Sequence, residues 1–558
     1  MTYTKWIVGV GCLAILAGCN LGTKSADVSH IYYNATILTM EEINPQVGAM
    51  AIHNGTIVTL GDSEVLRSTY PNAVHVDLMG QTVLPGIIDS HVHVRELGMD
   101  KLKADLVGVK TVEDIVSRLI SHYPDPNPGE WLIGQGWDEG YFASVGYPDR
   151  VLLDAAFPQN PIALESLHGF GGFYNGAAFA VANIDANSPN AKKGKILRRP
   201  DGVPTGVMLS VAQDLVDVHI PPRSAMQIEK AIKAGLHEMA QAGVTSVHEA
   251  GMTAQDVEGF MSLAAKGELP IRVYGLLVGN DTDLMTSWFE RGIYDDQEDW
   301  LDIRSIKVYY DGSLGSRTAL LREPYTDVPD AASPSERMDP QDVKSLANKA
   351  AKYGFQMAVH AIGDEGNDRV LAAYDVALEP YPQQDHRWRI EHAQVVLPDY
   401  YERVAKLGVL SSMQSSHAVG DSPWAEDRLG PKRIKHAYAW QNILAAGGRI
   451  MMNSDLPGEP WTPMETLYFA VTRKNLDGEP LQGWYTDQSL SVSEALHAMT
   501  IENAYGAFQE EKLGSLAPGK WADFITLSEN PLATAPDKLK DIEITGVWIA
   551  GEARKTKK

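Results

Sequence analysis

Apolar and polar positions change their period along this chain, and the changes mark its parts. Between residues 28 and 84 the apolar runs are short and rich in β-formers: Ile31 to Met40, Ala49 to Leu60 and Ala73 to Leu78. Turn formers cut them at Asn44-Pro45, Asn54-Gly55, Gly61-Asp62 and Met79-Gly80, which predicts a small β-sandwich. The far end has the same texture. Trp521 to Ser528 and Ile542 to Ala550 are strand-like, with turns at Pro518-Gly519, Asn530-Pro531 and Gly551-Glu552. A β module divided between residues 28–84 and 506–558 implies one small domain whose strands flank a larger inserted one, residues 85–505.

Inside the larger domain, strand-like runs alternate with helical ones, the pattern of an α/β fold with a parallel sheet. The predicted strands are Ile87 to Val94, Val244 to Glu249, Ile271 to Val278, Ser305 to Tyr310, Gln356 to His360, Arg389 to Ala393, Val409 to Gln414 and Arg449 to Asn453. Helical stretches such as Ile228 to Ala242, Asp342 to Tyr353 and Asn367 to Leu378 fit between them. Eight such units predict a TIM (β/α)8 barrel, with its active site at the strand C-terminal ends. One interval is too long for a connection. Residues 95–226 contain a helix (Val112 to Tyr123), an aromatic and Gly-rich run (Trp131 to Tyr147) and His168-Gly-Phe-Gly-Gly-Phe-Tyr-Asn175. Insertions of this length are lids or substrate-shaping subdomains.

Charge narrows the function. With 48 Lys+Arg against 72 Asp+Glu, the net charge is −24. No basic surface for nucleic acid or an anionic membrane follows from that balance. The first residues carry an address. Lys5 precedes an apolar run, Trp6 to Ala17, too short for a comfortable membrane span. It ends Leu16-Ala17-Gly18-Cys19, which resembles a bacterial lipobox. The resemblance implies a signal peptide over residues 1–18, lipidation of Cys19 and a tether over residues 19–27. Asn20 after the cysteine points to the outer membrane, facing the periplasm, with membrane contact through the lipid anchor only. The other cysteine, Cys12, lies in the removed piece, so the mature chain has no disulfide.

Candidate chemistry gathers at the predicted strand ends. Strand 1 ends in His91-Val-His93; alternation along a strand points both imidazoles the same way. Alone, such a pair is more often part of a half-buried strand. Lys307 on strand 4, His360 on strand 5, His392 on strand 6 and Asp455 after strand 8 change the odds. So many polar groups at one barrel mouth are costly to bury without a shared partner, and a transition metal is such a partner. Lys307 is either paired with a carboxylate such as Asp311, or a neutral amine able to take up carbon dioxide. The resulting carbamate is an anion that bridges two metals.

The set resembles the amidohydrolase superfamily and, more closely, amidohydrolase family 3, which includes metal-dependent amidases and N-substituted formamide deformylases. The resemblance runs through Pro85-Gly-Ile-Ile-Asp-Ser-His-Val-His93, Lys307 to Ala319, His360-Ala-Ile-Gly-Asp364, Arg389-Ile-Glu-His-Ala-Gln394, Ser454-Asp-Leu-Pro457 and Gly514 to Asp523. One departure is Gln414-Ser-Ser-His417, where Pro commonly follows the Gln. The family implies a distorted TIM barrel with a flanking β-sandwich and a mono- or binuclear centre. On that pattern His91, His93, Lys307 and Asp455 hold the more buried metal, and His360 and His392 the second. Zinc suits the ligands, while iron, manganese and nickel satisfy the same donors. Asp455 is expected to move the proton of the attacking water, and His417 to bond the carbonyl oxygen or simply to fill structure. Asp311, Arg317, Gln414, Trp137, Asp138 and His168 are the expected substrate-side residues. The implied activity is hydrolysis of a non-peptide C–N bond in a small-molecule amide. Competing readings are a cyclic amidase, a lactonase or esterase, and an inactive ligand-binding lipoprotein. A homodimer is compatible with such a chain, and its patterning does not select one.

Overall fold

The computed structural model describes residues 27–556, apart from 168–170, 193, 331–333 and 335. Eight parallel strands form the central sheet: β1 (Ile87–Val92), β2 (Val244–Met252), β3 (Arg272–Val278), β4 (Leu301–Tyr309), β5 (Gln356–Ala361), β6 (Arg389–His392), β7 (Leu410–Gln414) and β8 (Arg449–Asn453). Their order in the sheet is their order in the chain. All eight predicted strands are present. They read as near-continuous apolar runs because both faces are covered, one by helices and one by the barrel interior.

The sheet curls until its first and last strands meet. A parallel bridge joins Val92 to Leu456. Asp455 N–H donates to the His91 carbonyl at 2.9 Å, and His93 N–H to the Leu456 carbonyl at 3.2 Å. Closure therefore happens through the residues expected to carry chemistry.

The sandwich is built from both chain ends. One sheet holds Thr56–Gly61, Ala49–His53, His30–Tyr33 and Val74–Asp77. In the other, Thr82–Pro85 lies between Thr36–Leu38 and Phe524–Leu527. Phe524 stacks on Trp548 with centroids 4.7 Å apart, and Tyr32 meets Phe524 edge-on at 5.0 Å. Thr82–Pro85 leads directly into β1, so the seam of the sandwich sets where the barrel begins. A buried ion pair ties the two together: Arg272 Nε lies 2.6 Å from Asp523 Oδ2, with the guanidinium over the Trp300 and Trp521 rings.

The long interval after β1 is more divided than its sequence suggests. Helix α1 (Val94–Leu102) packs on helix α2 (Ala225–Ala242), which leads into β2. Both belong to the barrel's outer layer. The inserted subdomain is the sheet between them, with strands from Ala104–Asp105 to Pro204–Ser210. It has its own apolar core, including Leu106, Ile115, Leu132, Trp137 and Phe173.

The α1–α2 contact depends on two residues without side chains. A Cβ at Gly98 would lie 1.8 Å from the Ala231 carbonyl oxygen, and one at Gly235 would lie 2.3 Å from that of Val94. Both clashes are with backbone, so relief requires the helices to separate. Gly98→Ala is expected to lower stability by about 1–3 kcal/mol, the range for overpacking, read from denaturant unfolding of the full chain. An unchanged midpoint would show that the helices yield freely.

Candidate active site

Four of the predicted site histidines gather around one carboxylate at the C-terminal mouth of the barrel. Asp455 lies 3.2 Å from His93 Nε2 and 3.5 Å from His91 Nε2 through Oδ1. Through Oδ2 it lies 3.6 Å from His417 Nε2 and 3.9 Å from His392 Nδ1. Two groups of possible ligands result, His91–His93–Asp455 and His392–His417–Asp455, each with donor atoms within 4.8 Å of one another.

Local backbone explains how these side chains converge. His91 lies in β1, while the strand ends at Val92 and His93 caps α1. The two imidazoles still share Asp455. Along β6, strict alternation would aim Glu391 and His392 at opposite faces. His392 instead takes φ 75° and Ala393 φ 43°, and this left-handed turn brings both side chains to the site. Asp455 is likewise at φ 57°. Such backbone costs of order 1–3 kcal/mol per residue and persists where surrounding contacts enforce it.

Two partners orient the imidazoles from behind. His91 Nδ1 lies 2.5 Å from Glu391 Oε2. A carboxylate only accepts, so Nδ1 carries the hydrogen and the Nε2 lone pair faces the mouth. His392 Nδ1 donates to Gln414 Oε1 at 2.8 Å, and Gln414 Nε2 donates to Asn453 Oδ1 at 2.6 Å. Asn453 in turn donates to Ser90 and Ser412 Oγ at 3.2 and 2.9 Å. Glu391 has its own support: Arg389 Nε is 2.6 Å from Oε1, with both side chains fully buried. Arg389 Nη1 also donates to His248 Nδ1 at 2.9 Å.

Burial dominates the electrostatics. It lowers His91 to about 4, helped by the Lys307 charge, and lowers His360 to about 3 for the same reasons. His392 is held well below the usual histidine range by burial and by His360. Imidazoles in this state are neutral near pH 7, the form that binds metal. Burial opposes the charge of Asp455, but His91, His93, His392 and His417 hold it well below the carboxylate range. Glu391 is likewise lowered against its burial, chiefly by Arg389. Burial brings Lys307 down to about 8; its Nζ sits 3.0 Å from His91 Nε2 and 4.4 Å from the Tyr309 ring centre. Neutral His91 and His392 beside one ionised carboxylate are a donor set that fits a divalent transition metal.

Other expected residues stand differently. His360 joins neither three-residue group; its Nε2 faces the Gly312 carbonyl at 3.1 Å, while its ring lies 4.4 Å from that of His392. His417 lies in the short helix α3 (Ser415–Gly420) that follows β7, and there it joins the Asp455 set. Gln414 faces His392, so its buried amide orients a ligand. Trp137 is fully buried in the insertion core and donates to the Leu164 carbonyl at 3.0 Å. Asp138 caps the helix Glu139–Val145 by accepting from Tyr141 N–H. Arg317 is exposed and pairs with Asp327 at 2.7 Å. His168 and Cys19 lie outside the described residues. Glu391 was not among the expected residues, although Arg389-Ile-Glu391 carried the signal: opposite charges two apart share one face of a buried strand.

Asp311 is a correction of role. Its side chain is fully buried, and its oxygens accept from Ile362 N–H at 2.9 Å, Gly363 N–H at 2.8 Å and Leu320 N–H at 2.9 Å. That commits them to holding the loop after β5 rather than a substrate or Lys307. Burial still raises it to about 6. Asp311→Asn would turn an NH2 group toward backbone N–H donors, and stability is expected to fall by about 1–3 kcal/mol, the cost of a buried unsatisfied group. Urea unfolding measures this; equal stability would remove the loop-holding role.

Comparison with known proteins agrees with this geometry. A family profile described as "Amidohydrolase family" matches residues 75–554. The chain is 31% identical to the putative amidohydrolase YtcJ of Bacillus subtilis, over 94% of this chain and 98% of that protein. It is 26% identical to the N-substituted formamide deformylase of Arthrobacter pascens, over 93% of this chain and 97% of that one. The crystal structure of an uncharacterized metal-dependent hydrolase from Pyrococcus horikoshii matches with a TM-score of 0.73 at 28% identity, covering 91% of this chain and 99% of that one.

Proposed function

Because the chain belongs to the amidohydrolase family, hydrolases that cleave C–N bonds, we propose that its barrel mouth hydrolyses an open-chain N-acyl or N-formyl amine with metal-activated water. The observation that carries this reading is the Asp455 carboxylate shared by imidazoles from three separate parts of the barrel. The name of the Arthrobacter relative makes N-substituted formamides the first substrates to try.

A bound divalent metal, zinc in this reading, polarises the scissile carbonyl and lowers the pKa of water. His91, His93, Lys307 and Asp455 would hold it, with His360 and His392 serving a second ion. Asp455 accepts the proton of the attacking water. Oxygen adds to the carbonyl carbon, and His417 donates a hydrogen bond to the developing oxyanion. Asp455 then returns the proton to the nitrogen as the C–N bond breaks, leaving a carboxylic acid and an amine. An aspartate held well below its usual range is ionised at neutral pH, as a base must be.

The lipid-anchored, envelope address read from Cys19 belongs to the same proposal and rests on sequence alone. Among the described residues, no helix is long and apolar enough to cross a membrane.

A panel of N-formyl and N-acyl amines, N-acyl amino acids, cyclic amides and lactones tests the bond. Turnover of open-chain amides is expected; turnover of lactones alone would move the reading to an esterase. Asp455→Asn should reduce turnover by at least about 10²–10⁴-fold, the worth of general acid–base catalysis, with the thermal transition retained. Substantial residual turnover would remove Asp455 from proton transfer.

Lys307 completes the proposal: as a carbamate its side chain would be an anion able to help hold the metal. A buried amine brought down to about 8 offers its neutral, nucleophilic form near physiological pH. Lys307→Ala should lose activity and regain part of it with formate or acetate, whose carboxylate replaces that anion. A variant as active as the parent without added acid would sink the carbamate.

A further inference from the structure

A further set of donors stands at the opposite end of the barrel from the mouth, where β4 begins. Asp295, Asp299 and Asp302 place three carboxylate oxygens within 4.8 Å of one another, the first residue exposed and the other two buried. All three line one cavity of about 60 Å³, together with Gln509, Arg304 and Lys512. The cavity adjoins the joint between barrel and sandwich. Asp299 Oδ2 accepts from Trp521 Nε1–H at 2.8 Å, and Arg272, the partner of Asp523, donates to the Asp299 carbonyl at 3.0 Å.

Gln509 shows what this cluster lacks. The residue is 4% exposed. Its Nε2 donates to Asp302 Oδ2 at 2.7 Å, while its Oε1 is buried on the same cavity with no hydrogen-bond partner among the described residues. A buried carbonyl oxygen left bare is costly. Beside three carboxylates, the group that satisfies it is a cation. Charge asks for the same. Burial, with repulsion from Asp295 and Asp299, raises Asp302 to about 6. Lys512 answers only in part: its Nζ lies 2.5 Å from Asp299 Oδ1, on a half-exposed side chain. The Arg304 guanidinium is spent on the Phe508 ring, 3.4 Å from its centre. Three carboxylates against two cations leave the cavity negative.

Only oxygens are offered, the donor set of a hard cation. Calcium takes six to eight oxygens at about 2.3–2.6 Å, so one ion reaches donors 4.8 Å apart. We propose that Asp295, Asp299, Asp302 and Gln509 Oε1 bind one calcium ion, which displaces Lys512 from Asp299. The cavity has room for waters that complete its shell. An exposed ion pair such as that of Lys512 is worth little, so the ammonium gives way at small cost. The ion ties the chain before β4 to the segment that enters the sandwich. Lying at a strand start, far from the mouth, it acts on stability and leaves turnover alone.

The experiment measures Ca2+ binding by equilibrium dialysis on the full chain as purified, without chelator, and follows the thermal transition alongside. One calcium per chain is expected, half-saturated at about 0.1–1 mM, the range of weak extracellular sites. The transition should rise as the site fills, with turnover unchanged. Asp295→Ala removes an exposed ligand and keeps the fold; it should weaken binding by at least about tenfold, one charged ligand's worth. Lys512→Ala should tighten binding by up to about fivefold, the worth of the exposed ion pair that calcium no longer breaks. No saturable binding up to about 10 mM, or equal binding by the parent and Asp295→Ala, would overturn the site. Equal binding by the parent and Lys512→Ala would overturn the exchange with the ammonium. A calcium effect on turnover with no change in the thermal transition would place the ion at the mouth and overturn the proposal too.

Discussion

One half-buried carboxylate organises the mouth of this barrel. Asp455 is the negative charge toward which four imidazoles are turned. In a medium that excludes water, neither a lone carboxylate nor a cluster of imidazoles is cheap to bury. Together they compensate one another: His91 and His392 stay neutral and the aspartate stays ionised, a balance that a divalent ion would complete. The positive-φ backbone at His392 and Asp455 is the cost of aiming consecutive or loop-borne side chains at one point. Ladder bonds, the closing bridge and packed helices hold that strain in place.

The same groups also close the fold. Asp455 N–H and His93 N–H make the hydrogen bonds that join the end of β8 to the end of β1. Asn453 adds its bond to Ser90, and Ser454 N–H adds one to Asp89 at 3.1 Å. Residues more than three hundred positions apart thus form both the site and the barrel seam. Geometry at the site is therefore as rigid as closure itself, which suits chemistry that depends on fixed donor positions. The sandwich secures the other end of β1, since Thr82–Pro85 is a strand of its second sheet.

Several residues expected at the site serve the scaffold instead. Asp311 gathers three backbone N–H groups, Trp137 fills the core of the insertion, Asp138 caps a helix and Arg317 pairs at the surface. Each is a residue type that also binds substrates, and each lies close in sequence to a strand end or in the insertion. What separates the roles is whether polar atoms are already spent on the protein. That accounting needs partners, and partners come from distant parts of the chain.

The eight-strand alternation and the β module shared by both ends were legible in the sequence, as were His91, His93, Lys307, His360, His392 and Asp455 as polar candidates at the strand ends. These follow from local periodicity and from residue types at strand ends, which is information carried within a few residues. Only the tertiary contacts show that α1 and α2 belong to the barrel, that His417 lies beside Asp455, and that Glu391 and Gln414 bond His91 and His392. Those facts depend on which side chain meets which across the barrel, and on left-handed backbone that breaks the alternation. A periodic reading assumes regular strands; the site lies where regularity ends, because only there do neighbouring residues turn to face the same ion.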